Sequence, residues 1–146
     1  MEQEHIFRAG RAAWRVTLDD VRKRFPGSTT AARLRPPKIR GDHDLNPGFG
    51  PPQGLREASV LVPLVERAEG ATVLFTLRTA TLTAHAGQIS FPGGRREAED
   101  RSAEDTALRE TEEEIGLSRD RIEILGQLDT YVTRTGFRVT PVVGLV

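Results

Sequence analysis

Most hydrophobic residues of the chain stand in short runs that are rich in β-branched side chains, a pattern that predicts strands. Residues 58–67 (ASVLVPLVER) and 71–78 (ATVLFTLR) are separated by Glu69-Gly70, which predicts neighbouring strands joined by a tight turn. Pro63 has no N–H for a ladder, so the first strand is predicted to lie near a sheet edge or at a bulge. Three further strand-like runs are a short one at 88–91, one at 121–133 that is a strand pair or one strand bent at Gly126, and one at 137–146.

Helical periodicity is clearest at residues 103–115, where Ser102 as N-cap and Asp105 three residues later have the spacing of a capping box. Gly116 stands where a helix commonly ends. The apolar face that we expect to pack on the sheet comprises Ala107, Leu108, Thr111 and Ile115.

A second, shorter helix is predicted at residues 17–25, with Thr17 as its N-cap. The proline- and glycine-rich residues 35–54 are predicted to form a loop.

Strands outnumber helices, and the strongest helix lies between strands, which predicts an α+β fold built on a mixed sheet. The 146 residues suit one domain with a hydrophobic core. Residues 1–57 hold six of the nine prolines and are predicted to form an N-terminal helix and arm packed on a domain of residues 58–146. Because the chain stops within an apolar run, we expect this domain to be truncated at its C-terminus.

The balance of 21 basic and 21 acidic residues gives no net charge, which argues against a nucleic-acid-binding protein that relies on a basic field. The absence of cysteine excludes disulfides, zinc–thiolate sites and cysteine nucleophiles. No apolar run has the length of a membrane span, and the N-terminus lacks the apolar core of a signal peptide. We therefore expect a cytoplasmic protein without nucleic-acid or membrane partners; the oligomeric state stays open, with a homodimer as one expectation.

Four glutamates crowd the last turns of the longer helix. Glu110, Glu113 and Glu114 share one flank, whereas Glu112 and Asp105 are predicted to point to a third side, with Arg109 near them. Each like-charge pair costs about 0.2–0.5 kcal/mol, and each exposed negative charge in the last turn opposes the helix dipole by about 0.3–1 kcal/mol. A solvated acidic face is one interpretation; a bound Mg²⁺ or Mn²⁺ is the other, because these cations prefer carboxylate oxygens and would remove the repulsion.

Two glycines, Gly93 and Gly94, follow Phe91-Pro92 shortly before this helix. Glycine lets the backbone approach a ligand closely, so this turn is predicted to hold a metal-bound phosphate, with a carbonyl as metal ligand. An ordinary turn is the alternative.

These residues carry a resemblance to a known family. The segment from Gly94 to Leu117 resembles the Nudix box, G-x5-E-x7-R-E-U-x-E-E-x-G-U, in which U is apolar. Residues 109–117 match every specified position except Thr111, which replaces an apolar residue. Asp100 stands where the family has Glu, and one extra residue separates it from Arg109.

The preceding residues, 74–94, resemble the signature of the coenzyme A pyrophosphatase branch, L-L-T-x-R-[SA]-x3-R-x3-G-x3-F-P-G-G. The matching positions are Leu74, Thr76, Arg78, Gly87 and residues 91–94, and the departures are Phe75, Thr79 and Thr83.

The resemblance implies an α/β/α sandwich, with a mixed β-sheet between helices, and the hydrolysis of nucleoside diphosphates linked to another moiety. For the coenzyme A branch, the implied products are adenosine 3′,5′-bisphosphate and 4′-phosphopantetheine. It also implies roles for single residues: Glu110, Glu113, Glu114 and the Gly94 carbonyl as metal ligands, and Arg109 as the group that orients a glutamate.

Substrate phosphate is expected to contact Arg78, Gly93 and Gly94, and the catalytic residues are expected to be Glu113, Glu114 and Arg109. Glu113 or Glu114 could serve as general base, as could a carboxylate outside the box or His85. Trp14 and Tyr131 could stack on adenine or simply pack. Two other functions stay open, namely a pyrophosphatase for ADP-ribose, dinucleotides or another nucleotide, and a non-catalytic module that senses a nucleotide or binds a partner.

Overall fold

The structure is a computed structural model of the 146-residue chain, and it describes residues 16–25, 38–46, 48, 50, 52–77 and 87–146. Three residues with a predicted role, Arg78, His85 and Trp14, lie outside this part of the chain. Within the described ranges, no helix combines the length and the apolar character that crossing a bilayer requires.

The described residues form an α+β fold, as predicted. In chain order its elements are α1 (Leu18–Arg24), β1 (Ile39–Gly41), α2 (Asp42–Leu45), β2 (Arg56–Arg67), β3 (Gly70–Val73), β4 (Thr76–Leu77), β5 (Ile89–Ser90), β6 (Gly93–Arg95), α3 (Ala103–Ile115), a 3₁₀ turn (Arg119–Arg121), β7 (Glu123–Gln127), β8 (Thr130–Val132) and β9 (Phe137–Leu145).

A mixed sheet of seven strands is built around the parallel pair β2 and β9, which stay in register from Arg56↔Phe137 to Leu64↔Leu145. The other side of β2 is shared by two short antiparallel neighbours, β6 and β3. The other side of β9 is likewise shared by β8 and β7. The strand β1 extends the sheet by pairing in parallel with β8.

The position of Pro63 differs from the predicted sheet edge, since β2 is a central strand. The Pro63 carbonyl accepts a hydrogen bond from the Leu74 N–H at 3.0 Å, so its nitrogen faces the same side. That side is the gap between the residues paired with β6 (58–60) and those paired with β3 (64–67), where no ladder donor is needed. Pro141 occupies the equivalent gap on β9, and its carbonyl accepts from the Leu128 N–H at 2.9 Å.

A helix covers each face of the sheet. On one face, Leu18 of α1 packs with Leu125, Val143 and Leu145. On the other face, Ala107 of α3 packs with Leu61, Ile122 and Val142. Neighbouring residues of β9 alternate between the two clusters, as the pleat of a strand requires.

The longer helix has the predicted bounds, and its ends show why. The Ser102 hydroxyl accepts from the Asp105 N–H at 3.2 Å, and Gly116 takes the left-handed conformation with φ of 68°. The Asp105 carboxylate instead accepts from the Arg101 N–H at 3.2 Å, so only half of the expected capping box forms. Ile115, predicted on the packed face, is 37% exposed because it lies in the last turn, beyond the sheet.

Other boundaries differ from the prediction. The run 71–78 divides: β3 pairs with β2 as predicted, but β4 leaves the main sheet and pairs with β5 in a separate two-stranded ribbon. The predicted loop at 35–54 contains β1 and α2, because β1 finds a partner in the distant strand β8. Residues 121–133 contain two strands, β7 and β8, which both pair with β9, and β7 has a register shift between Ile124 and Gly126.

The short helix α1 confirms its prediction. Thr17 and Asp20 form a complete capping box, and the Arg22 guanidinium lies 2.9 Å from the Glu123 carboxylate of β7. The division into residues 1–57 and 58–146 stays a prediction, although β2 already begins at Arg56.

Candidate functional site

The backbone of β6 runs directly against the side of α3, and Gly94 makes this contact possible. A Cβ atom at Gly94 would overlap the carboxyl group of Glu110. Ser59 of β2 pairs with Gly94 and holds it at this position. Only a residue without a side chain can therefore bring the β6 backbone and the Glu110 carboxylate this close.

Gly93 is constrained on the other side of the strand. Its φ is +156°, and a Cβ there would overlap the Ser59 carbonyl and lie 2.6 Å from the Cα of Val60. Its N–H donates to Oε2 of Glu114 at 3.2 Å. The two glycines thus bring the backbone into contact with two of the three flank glutamates.

Arg109 connects the helix to the loop before it. Its Nε and Nη2 donate to the two oxygens of Asp100, each at 3.0 Å, in the bidentate arrangement that guanidinium and carboxylate favour. Nη2 also donates to the Arg95 carbonyl at 3.0 Å. Nη1 donates to Glu110 at 3.1 Å and to Glu113 at 3.3 Å. One guanidinium therefore restrains two of the predicted metal ligands.

Asp100 is the buried anchor of this arrangement, with a side chain that is only 5% exposed. Besides Arg109, its Oδ2 accepts from the Thr106 hydroxyl at 3.0 Å and from the Glu97 N–H at 2.9 Å. The hydrogen bonds from Arg109 hold the pKa of the Asp100 carboxyl well below its usual value, and they raise the pKa of the guanidinium.

Glu110 is the most enclosed of the three flank glutamates, with a side chain that is 18% exposed. Burial raises the pKa of its carboxyl, and the charges of Glu113 and Glu114 act in the same direction; Arg109 opposes them. Burial is the largest of these effects, and the repulsion expected from the sequence is a smaller contribution than the opposing ion pair with Arg109.

Arg109 lies on the flank of Glu110 and Glu113, so the expectation that it stands near Asp105 and Glu112 is wrong. Those two carboxylates instead face Arg119, at 3.7 and 3.8 Å. The reason is tertiary: the buried Asp100 draws Arg109 toward the sheet side of the helix.

The described part of the chain contains no group of three or more His, Asp or Glu side chains that already converge as metal ligands do. Glu113 is engaged by Arg109, and Glu114 by the Gly93 N–H. Even so, the donors are all carboxylate or carbonyl oxygens on one flank, and these suit a hard dication. Glu113 has room to rotate toward such an ion, since its side chain is 59% exposed.

Comparison with known proteins assigns the chain to a family. The model of the NUDIX domain matches residues 55–144, which contain β2, β6, α3 and the sheet between them. The chain belongs to the Nudix family.

Curated relatives agree with this assignment. Nudix hydrolase NudL of Citrobacter koseri, whose name carries the word uncharacterized, is 40% identical over 131 residues, covering 90% of this chain and 59% of its own length. A protein of the same name from Yersinia enterocolitica is 48% identical over 89 residues, covering 61% of this chain and 45% of its own. The chain thus spans about half the length of the curated relatives it matches. The coenzyme A pyrophosphatase-like branch is consistent with them.

Solved structures show the Nudix fold as well. A Nudix hydrolase from M. smegmatis, RenU, superposes with a TM-score of 0.52 at 21% identity, covering 62% of this chain and 60% of its own. A C. elegans Ap4A hydrolase, solved as a binary complex, gives 0.51 at 21% identity, covering 60% and 64%. Nudix proteins generally use divalent ions such as Mg²⁺ or Mn²⁺.

Sequence reasoning singled out the glutamates, the glycines and Arg109 of this candidate site but missed the role of Asp100. The local pattern marked Asp100 only as a departure from the box, whereas the structure makes it the partner of Arg109. An acidic residue nine positions before an arginine gives no contact signal by itself.

Tyr131, considered as a stacking residue, donates its hydroxyl to Asp42 at 2.5 Å and is 36% exposed.

Proposed function

We propose that this Nudix chain hydrolyses the diphosphate of a nucleoside diphosphate linked to another moiety, with coenzyme A or its derivatives as the preferred substrate. The products would be adenosine 3′,5′-bisphosphate and 4′-phosphopantetheine. The family supports the reaction class, and the resemblance of residues 74–94 to the coenzyme A branch supports the substrate.

One structural observation carries the proposal: the Glu110 carboxylate occupies the space that a side chain on Gly94 would fill. This contact brings the Gly94 backbone and a carboxylate together from two different elements. Glu113 and Glu114 lie on the same flank of the helix. The set Glu110, Glu113, Glu114 and the Gly94 carbonyl would hold the dication.

Bound there, Mg²⁺ or Mn²⁺ would neutralise charge on the diphosphate and act as a Lewis acid toward it. The remaining work falls to residues of the chain. Arg109 keeps Glu110 and Glu113 oriented through hydrogen bonds of 3.1 and 3.3 Å. The backbone of Gly93 and Gly94 positions a substrate phosphate, and Arg78 contributes a guanidinium to it. The proton of the attacking water goes to Glu113 or Glu114.

The substitution Glu114→Gln tests this assignment, because it keeps the shape of the side chain and removes one charge. We expect hydrolysis to fall at least about 100-fold, more than partners outside a metal's ligand set commonly cost. The thermal midpoint should hold or rise, since repulsion with Glu110 is relieved. Turnover of coenzyme A and calorimetric binding of Mn²⁺ are the two measurements.

Glu112→Gln is the matched control, because it removes the same charge from the same helix on the side that faces Arg119. It should retain both turnover and Mn²⁺ binding. Equal losses in both variants would contradict the proposed site.

The substrate is tested separately with a panel of coenzyme A, ADP-ribose and dinucleoside polyphosphates, with products identified by mass. Faster turnover of coenzyme A than of the other compounds supports the proposal. Faster turnover of ADP-ribose or a dinucleoside polyphosphate would make that compound the preferred substrate. Nucleotide binding without turnover of any member would indicate a sensing module.

A further inference from the structure

The ribbon formed by β4 and β5 has an inverted distribution of polar and apolar side chains. Its cross-strand pairs are Thr76↔Ser90 and Leu77↔Ile89, so Phe75 and Phe91 face each other one step further along. Their rings stack with centroids 4.7 Å apart and planes inclined by 28°. Because strand side chains alternate, these two rings share one face with Leu77 and Ile89.

The opposite face carries the two hydroxyls, and it is the inner one. Thr76 and Ser90 are half-buried, and the Thr76 hydroxyl donates to the Ser90 carbonyl at 3.0 Å. The outer face is apolar: Phe75 is 52% exposed, Ile89 is 68% exposed and Leu77 is 70% exposed. A soluble ribbon normally has the reverse arrangement, so this apolar face (Phe75, Leu77, Ile89 and Phe91) is expected to contact a ligand.

The size of the apolar face argues against a second copy of the chain as its occupant. Even if its three most exposed side chains each offered about 150 Å², as a buried aromatic residue does, the face would supply at most roughly 450 Å² per copy. A standard protein interface buries about 800 Å² per partner, so the face is too small for a stable dimer. It suits a flat organic group.

The apolar face also continues into the proposed diphosphate site. Only Pro92 separates Phe91 from Gly93, and two residues of extended chain span at most about 7 Å. A phosphate held at Gly93 and Gly94 would thus lie about one sugar unit from the stacked rings. Phe75 stands where the coenzyme A branch signature has Leu, so the second ring of the stack is a feature of this chain.

We propose that the apolar face of the β4–β5 ribbon binds the nucleobase of the substrate by stacking on Phe75, while the diphosphate lies at Gly93 and Gly94. This proposal rests on the proposed function, which it extends to the recognition of the base. Stacking accepts any base with a π face, so the contact would favour nucleotides over other diphosphates without selecting one base.

The experiment compares ADP with inorganic pyrophosphate, because the two share a diphosphate and differ by the nucleoside. Dissociation constants are measured by calorimetry with Mn²⁺ for the 146-residue chain, for Phe75→Ala and for Phe75→Leu. We expect Phe75→Ala to weaken ADP binding about 5- to 100-fold and to leave pyrophosphate binding unchanged. The ADP dissociation constant of Phe75→Leu should lie between those of the unsubstituted chain and Phe75→Ala, since leucine keeps apolar area but lacks the ring.

Leu128→Ala is the control, because it shortens an apolar side chain of similar exposure (44%) outside the ribbon. It should change neither constant. Saturation transfer from ring protons of the protein to the adenine protons of ADP should also weaken in Phe75→Ala, because only the Phe91 ring then remains on the face.

Two results would overturn the proposal. One is an unchanged ratio of ADP to pyrophosphate affinity in Phe75→Ala; the other is a dimer in sedimentation that this substitution dissociates. The proposed function fails by a different result, namely absence of diphosphate hydrolysis by the unsubstituted chain. A chain that hydrolyses coenzyme A but shows an unchanged affinity ratio would therefore lose only the base-binding proposal.

Discussion

Single residues of the site are held by groups that lie far away in sequence or on another element. The Arg109 guanidinium is held in one orientation because Asp100, nine positions earlier, is buried beside it and accepts two of its hydrogen bonds. Glu110 keeps its position because Gly94 leaves it room. At this scale each carboxylate of the acidic flank already has a defined neighbour: Arg109 for Glu110 and Glu113, and the Gly93 N–H for Glu114. In the proposed function, Glu113 and Glu114 exchange that neighbour for a cation.

Asp100→Asn should destabilise the fold, because it leaves the Arg109 guanidinium without its buried counter-charge. Breaking a buried ion pair costs roughly 3–5 kcal/mol, and the Arg109 side chain is only 19% exposed. Chemical denaturation at neutral pH measures the loss. Glu99→Gln is the control, because Glu99 is an exposed carboxylate next to Asp100, and its substitution should change little.

The same pair predicts the direction of acid sensitivity. The Asp100 pKa is lower in the folded chain than the ordinary 3.8, so its contribution to stability is present above that pH. This contribution is lost as the pH falls below 3.8 toward the folded value. The unsubstituted chain should therefore lose stability more steeply in acid than Asp100→Asn, and parallel acid profiles would show that Asp100 is not the responsible group.

At the scale of elements, α3 and β6 form the site by lying side by side. The residue at which α3 begins determines which of its side chains lie beside the glycines of β6. The Ser102 cap fixes that start through one hydrogen bond of 3.2 Å to the Asp105 N–H. The sequence predicted this helix from Ala103 to Ile115 because period, cap and terminal glycine all agree. Strands were predicted at 71–78 and 88–91, but the pairing of β4 with β5 in a separate ribbon was not, because two-residue strands carry too few positions for a pattern to show their partner.

Ser102→Ala should lower stability by about 1 kcal/mol, the usual cost of losing a helix N-cap. Ser102→Asp is the matched control, because a carboxylate at the N-cap accepts the same hydrogen bond from the Asp105 N–H and should leave stability nearly unchanged. Thermal unfolding of both variants gives the comparison. Identical midpoints for the two would mean that the Ser102 hydroxyl does not support the helix.

For the molecule as a whole, the parallel pair β2 and β9 organises both layers. Each strand is central, each carries a proline at the gap between two half-length neighbours, and each supplies alternate side chains to the clusters under α1 and α3. The described elements before β2 take part in this arrangement. The N-terminal helix contributes Leu18 to a cluster, and the Val16 carbonyl accepts from the Ala71 N–H of β3 at 3.2 Å.

Leu18→Ala tests whether α1 is an integral part of the folded unit. Leu18 is 7% exposed, and truncation at such a position should cost about 2–3 kcal/mol, near the lower end for buried leucines. Val16→Ala is the control, because that side chain is 54% exposed and its carbonyl bond is unaffected. A negligible loss in urea denaturation of Leu18→Ala would identify α1 as an accessory arm.

The sequence by itself determined the α+β class, the bounds of α3, the predicted metal-ligand set and the resemblance to the Nudix box. It could do so because these features rest on local spacing, in which the residues that cap, pack and repel lie within a few positions of one another. Tertiary structure alone decided that β2 is central, that β1 and β8 pair, that Asp100 anchors Arg109 and that the apolar face of the ribbon points outward. Each of these depends on which other segment lies alongside, and the free energy that selects this partner comes from tertiary contacts that a local residue pattern does not encode.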